Sequence, residues 1–434
     1  MTTTVVAIPA RPPLPAALPA GGSTATSPPL ALPGEHFAVA LIYFVIGAFG
    51  LVFIAPDLAR GAFFLPRVAA VVHFFTLGWI MLSIFGALCQ FLPVAIDRAI
   101  RWQRLAHVTF ALEATGVAVF TVALVTGSEH GLHAGAVLVG AAFLTAAINL
   151  AATLAGATTR SLTWWALAGA SLFLAITPIF GVVLAINLHA NFLGAARFAT
   201  IARHVHVAIG GVVLLVMVGV AHKLLPMFLL AHGVGTRWAR AAVVLLFIGA
   251  LVLALPLGGM TGMGVGATLL GGGLLAFLLQ ALSFYRHRIR RHIDPGMRLV
   301  AAGLVGLAAA LVAAPFALVA GLANPRLLVI YHLLLIGAVS LFVAGHYYKI
   351  VPFLIWYHRF GPLVGLRPVP RVHELYSGPV ASVVVALLVA GWIGLVAGVA
   401  LASPVVVRTS AFVFAAGAVV EAVAVASMAR SRPV

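Results

Sequence analysis

Apolar residues run without interruption through twelve stretches of the chain, at about 37–56, 66–92, 105–126, 133–155, 162–186, 199–222, 240–258, 264–284, 298–320, 325–345, 380–402 and 408–428. A helix rises about 1.5 Å per residue, so segments of this length match a hydrocarbon layer of about 30 Å. Barrel strands would be shorter and would alternate apolar with polar residues, and these stretches do neither. The pattern predicts an all-α, polytopic membrane protein with twelve transmembrane helices, and residues 36–434 form one membrane domain. Residues 1–35 are rich in Pro, Ala, Thr and Gly and are expected to form a disordered cytoplasmic N-terminus. Between Gly258 and Gly273 a glycine-rich run predicts a turn and a closely packed helix start. No Lys-Ser or Lys-Thr follows, so it is not a phosphate loop.

Composition strengthens this picture and adds one anomaly. Of 434 residues, 63% are hydrophobic and only 8% charged, too few charges to cover a water-facing surface. Lys and Arg number 25 against 8 Asp and Glu. The basic residues cluster between the apolar segments, as membrane-orienting charges do, which argues against a nucleic-acid partner. With the N-terminus inside, nineteen of them fall on the inner face. Six, Arg60, Arg67, Arg197, Arg203, Arg326 and Arg408, fall on the outer face. This division predicts a multi-pass protein of a bacterial-type cytoplasmic membrane with both termini in the cytoplasm. A lone cysteine, Cys89, excludes an intrachain disulfide and a thiolate cluster. The anomaly is histidine, with 16 residues.

Three of the histidines mark a repeat. The segments HFFTLGWIMLSIFGALCQFLP, HVAIGGVVLLVMVGVAHKLLP and HLLLIGAVSLFVAGHYYKIVP begin at His73, His206 and His332. Each has Gly at +5 (Gly78, Gly211, Gly337), Gly at +13 (Gly86, Gly219, Gly345) and Pro at +20 (Pro93, Pro226, Pro352). They fall on the second, sixth and tenth helices, which predicts three pseudo-symmetric four-helix units at about 37–155, 162–284 and 298–428. The glycines permit close helix contact, and the prolines are expected where each helix gives way to the inner loop.

An imidazole in hydrocarbon is costly without a partner, and ligation supplies one. His73 and His332, at matched depth, are the expected axial pair for a b-type heme. Arg67 and Arg326 each precede their histidine by six residues, and with Arg203 they are candidate partners for heme propionates. His204 and His206, two apart on a helix, point about 200° away from each other and serve different faces. Both are candidate ligands to a second heme or to copper. His130, His133 and His189 on the outer side are further candidate metal ligands, against the bland alternative of solvated loop imidazoles. Glu113 and Glu421 lie within helices, where ionised groups are costly, and each is a candidate proton relay. Asn149 and Gln280 are additional buried polar groups. His222, His232, His346 and His358, on the inner side, look like interfacial anchors.

This arrangement resembles subunit I of the heme–copper oxidases, closest to the cbb3-type oxidase and nitric oxide reductase branch. The resemblance covers most of the membrane core. It implies that His73 and His332 hold a low-spin heme and that His204 or His206 is compatible with the copper ligand of the sixth helix. The chain departs from the pattern at two places. Ile330 and Leu334 stand where a second histidine of the tenth helix would hold the reactive heme, and the seventh helix, AAVVLLFIGALVLALP, has no histidine pair. The chain is also similar in outline to the NnrS-type heme- and copper-containing membrane proteins. The resemblance implies electron transfer, or binding or reduction of O2 or NO. It further implies a c-type cytochrome, cupredoxin or quinol as electron donor, and an additional membrane subunit where the reactive centre is completed. No C-x-x-C-H motif is present for covalent heme. The rival readings are a heme-free twelve-helix transporter and a membrane scaffold for a soluble electron carrier.

Overall fold

A computed structural model of the chain describes residues 29–255 and 258–431. Its described residues form no strand, and twelve helices are long and apolar enough to cross a membrane. These are α1 (Ala31–Phe53), α2 (Pro66–Ile96), α3 (Gln103–Thr126), α4 (Glu129–Ala155), α5 (Leu162–Ala190), α6 (Ala196–Leu229), α7 (Arg237–Ala254), α8 (Gly259–Arg286), α9 (Pro295–Ala323), α10 (Pro325–Leu363), α11 (Gly378–Ala400) and α12 (Pro404–Ala429). The protein is therefore an all-helical, multi-pass membrane protein. Most of the segment expected to lack structure lies outside the described residues, but helix α1 begins at Ala31, inside its boundary at 35.

The repeat is visible in the packing. Each +13 glycine meets the helix that precedes its own. A Cβ on Gly86 would lie 2.8 Å from His36 in α1, and one on Gly219 would lie 2.9 Å from Ala166 in α5. Gly345 contacts Gly296 and Val300 in α9. The +5 glycines each receive an aromatic ring instead: Tyr43 on Gly78, Phe173 on Gly211 and Trp392 on Gly337. Small residues thus let three pairs of backbones approach, which lipid-embedded helices need for dispersion contact.

The prolines correct the sequence expectation. Pro93, Pro226 and Pro352 lie inside their helices. The α-helical turns run on to Ile96, Leu229 and Ile355, the same offset in all three. The left-handed residues Asp97 and Leu230 close the first two. The carbonyl left free by each proline is tolerated because neighbouring groups in a bundle re-satisfy it. In the glycine-rich run, Gly258 is left-handed (φ 71°), and Gly266 and Gly273 seat Leu253 and Leu246 of α7, as expected.

Asn149 and Gln280 turn out to be structural, and equivalently so. Asn149 holds both backbone groups of Trp102 at the start of α3, at 3.1 and 2.9 Å. Gln280 bridges Ala239 and Gly235 at the start of α7, at 3.1 and 3.0 Å. Each amide pins the inner loop of its own repeat.

Helix order places the loop before α4 and the loop after α8 on opposite faces. Cysteines introduced at His130 and Arg288 should therefore be labelled from opposite sides of a sealed vesicle. Cys89 is buried and contributes little background. Labelling of both from one side would contradict the twelve-span arrangement.

Candidate site between helices α2, α6 and α10

The inner halves of α2, α6 and α10 are packed solid, whereas their outer halves are not. No side chain from Ala196 to His206 is buried, yet nearly every one from Val207 to Gly219 is. In α10 the buried run starts at Leu335, just past His332. The three repeat histidines thus stand where the packed core ends, each half-buried, and the loosely packed region outward of them is the candidate cleft.

Helix α6 presents one imidazole to each neighbour. His204 faces His73 of α2, with ring centroids 6.5 Å apart and planes inclined by 25°. His206 turns to α10, where its ring stacks on Tyr331 at 5.8 Å and 13°. The opposed directions of residues two apart account for this division. The imidazole that faces His73 is therefore His204, while Phe120 of α3 meets the same ring edge-on at 5.1 Å. The ring beside His332 is Tyr331, at 5.1 Å, and His206 lies within electrostatic reach of it.

All three repeat histidines are held in one tautomer. Nδ1 lies 2.7 Å from the carbonyl oxygen four residues earlier, that of Ala69, Ala202 and Leu328 respectively. A carbonyl only accepts, so Nδ1 carries the proton in each and Nε2 of the neutral ring has a free lone pair. This is the second-sphere arrangement that orients a ligating imidazole. On His206 the lone pair accepts from the Tyr331 hydroxyl at 2.9 Å. On His204, Nδ1 is buried without a hydrogen-bond partner among the described residues.

Two helices are also distorted at these positions. Immediately after His73 and after His206 the backbone becomes π-helical, over Phe74–Met81 and Val207–Leu214. Such segments are rare and occur often at functional sites. Nothing in the amino-acid pattern announced them. Tyr331 also escaped sequence reasoning, although it adjoins His332.

The arginines are largely committed elsewhere. Arg67 grips Asp57 with two hydrogen bonds of 2.6 and 2.7 Å, and Arg60 adds a third at 2.9 Å. Arg67 first, then Arg60, hold the Asp57 carboxyl below the usual carboxylate range against the opposing effect of burial. Arg203 caps the end of α7 through the carbonyls of Leu253 and Leu255. Arg326 is exposed and makes no side-chain hydrogen bond or ion pair among the described residues, which leaves it the freest of the three for an anionic group.

The outer loop imidazoles do not assemble with this cleft. His133 and His189 approach each other at 6.5 Å with rings nearly perpendicular, and His130 is exposed. Among the described residues no three His, Cys, Asp or Glu side chains converge on one metal position. A heme, which asks the protein for only one or two ligands, needs no such convergence.

Glu113 and Glu421 are both fully buried, and none of their carboxyl oxygens has a partner among the described residues. His346 also departs from expectation. It is buried beside Phe342 and Phe228, with Nδ1 bonded to the carbonyl of Phe342 at 2.8 Å.

The fold and this cleft define a polytopic helical membrane protein with paired imidazoles at one end of its core. No protein-family model matches the chain, and no curated protein is significantly similar to it.

Proposed function

We propose that the chain is a membrane b-type heme protein of a bacterial-type cytoplasmic membrane, acting in electron transfer or in binding a diatomic gas such as O2 or NO. The observation that supports it best is the His73–His204 pair. Two imidazoles on opposite sides of one metal ion have centroids about 6 Å apart, given metal–nitrogen bonds of about 2 Å. The 6.5 Å between these two rings fits that requirement. The fixed tautomer of His73 and the orphaned nitrogen of His204 fit it too. His73 and His204 would hold the heme, and Arg326 would meet a propionate at the outer rim. When bound, heme would supply a one-electron iron couple, and a gas would find a position there only where one of the two imidazoles gives way. His206, Tyr331 and His332 form the other wall, where Tyr331 positions the His206 ring. An electron donor such as a c-type cytochrome, cupredoxin or quinol, and an additional membrane subunit, belong to the same reading.

The test is a dithionite-reduced minus oxidised spectrum of the purified chain, with heme and copper quantified. At least one noncovalent b-type heme per chain is expected. A chain that carries no heme and takes up none on reconstitution would return the fold to the transporter class.

A further inference from the structure

The inner half of the molecule holds a group of polar side chains that the cleft does not use. Glu421 lies in α12, buried to 0% exposure, with neither carboxyl oxygen partnered. It lies within electrostatic reach of Tyr347 and Tyr348 of α10. Tyr347 is 2% exposed and shares a 2.8 Å hydrogen bond with Ser83 of α2. Tyr348 is equally buried, its hydroxyl also orphaned, and its ring meets that of Tyr376 at 5.3 Å. Tyr376 lies outside the spans, in the loop before α11, near Asp294 and the Lys349–Asp294 ion pair. These groups form a file from the arginine-rich face to mid-membrane. Its walls are apolar rings, among them Phe37 and Trp79 at 5.2 and 4.9 Å from Tyr347.

Buried carboxyl and hydroxyl groups without partners are costly in hydrocarbon. Three such atoms in one region need a common explanation, and ordered water is a partner small enough to reach them all. We propose that this file is a proton-exchange route that loads and unloads Glu421 from the arginine-rich face. In each transfer one O–H bond breaks and one forms. A hydronium ion gives its proton to the Glu421 carboxylate and leaves water, and Glu421 returns it to water on discharge. The proposal stands independently of heme and goes beyond the reading of the outer cleft.

Infrared spectroscopy of the full chain in nanodiscs tests it. Subtracting the Glu421→Gln spectrum isolates the carbonyl stretch of the Glu421 acid, and Glu421→Asp confirms the assignment by shifting that band. On transfer to deuterium oxide the band should move within minutes. Tyr348→Phe, which removes a hydroxyl between the surface and Glu421, should slow that shift by about 100-fold, the lower end for a positioned proton-transfer group. A Glu421 band still unshifted after many hours would overturn the route, as would unchanged exchange in Tyr348→Phe. Should that variant fail to fold, Tyr376→Phe, at the exposed mouth, carries the same expectation and the same refutation.

Discussion

Replacing His73 or His204 with alanine is expected to remove the low-spin heme, while His332→Ala leaves it in place. Losing a ligand cannot cost less than losing a second-sphere partner, so heme content in the first two variants should fall by at least about tenfold. Both are half-buried, and among the described residues His73 makes its one hydrogen bond within its own helix, so neither substitution opens the packed inner core. The measurement is heme per chain, with the reduced-minus-oxidised spectrum. If His204→Ala keeps the spectrum and His332→Ala loses it, the axial pair is His73 with His332, as the repeat frame alone would have it. An unchanged spectrum in His73→Ala would remove the basis of the heme reading at this cleft.

The second large effect concerns the repeat glycines. A Cβ on Gly345 would press into the carbonyl of Gly296 and lie 2.9 Å from Val300 N, while a Cβ on Gly296 would sit 2.7 Å from the carbonyl of Gly345. Two backbones in contact cannot yield as a side chain can. Gly345→Val should therefore destabilise at or beyond the upper end of overpacking costs, about 3 kcal/mol. It should appear as loss of monodisperse protein on heating in detergent. Gly264 in α8 has open space around its Cα, and Gly264→Ala serves as the control. Its helix propensity should leave stability equal or slightly raised. Equal behaviour of the two variants would mean that α9 and α10 do not pack as described.

The membrane fold was legible because lipid imposes a simple rule: every backbone group must be satisfied within the segment, so each span announces itself as one apolar run. The repeat was legible because helix contact needs glycine at fixed places, and those glycines mark the contacts. The imidazole pairing was not. Sequence spacing gives the direction of His204 relative to His206, but not which neighbouring helix lies in each direction, and that decides between His204 and His332 as the ring facing His73. The fate of Arg67 was hidden for a similar reason. Asp57, ten residues earlier, is brought back onto it by the short helix Ala55–Arg60, and that reversal leaves no periodic trace. The prolines misled because a proline one turn before a helix end reads the same as one just beyond it.

The π-helical stretches after His73 and His206 have a consequence for how this chain tolerates change. A π turn accommodates more residues than an α turn over the same span, so these two helices hold their outer ends in register by carrying surplus length. Deleting one residue within Phe74–Met81 or Val207–Leu214 would let the wide turn tighten to α geometry and leave His73, or the His204 and His206 pair, close to its present register. Deleting one from the regular α-helical stretch that follows, Leu82–Ile96 or Leu215–Leu229, would instead rotate everything on its outer side by about 100°. For this cleft an indel in apolar sequence, invisible to a comparison of polar residues, is harmless or as damaging as the loss of a ligand according to where it falls.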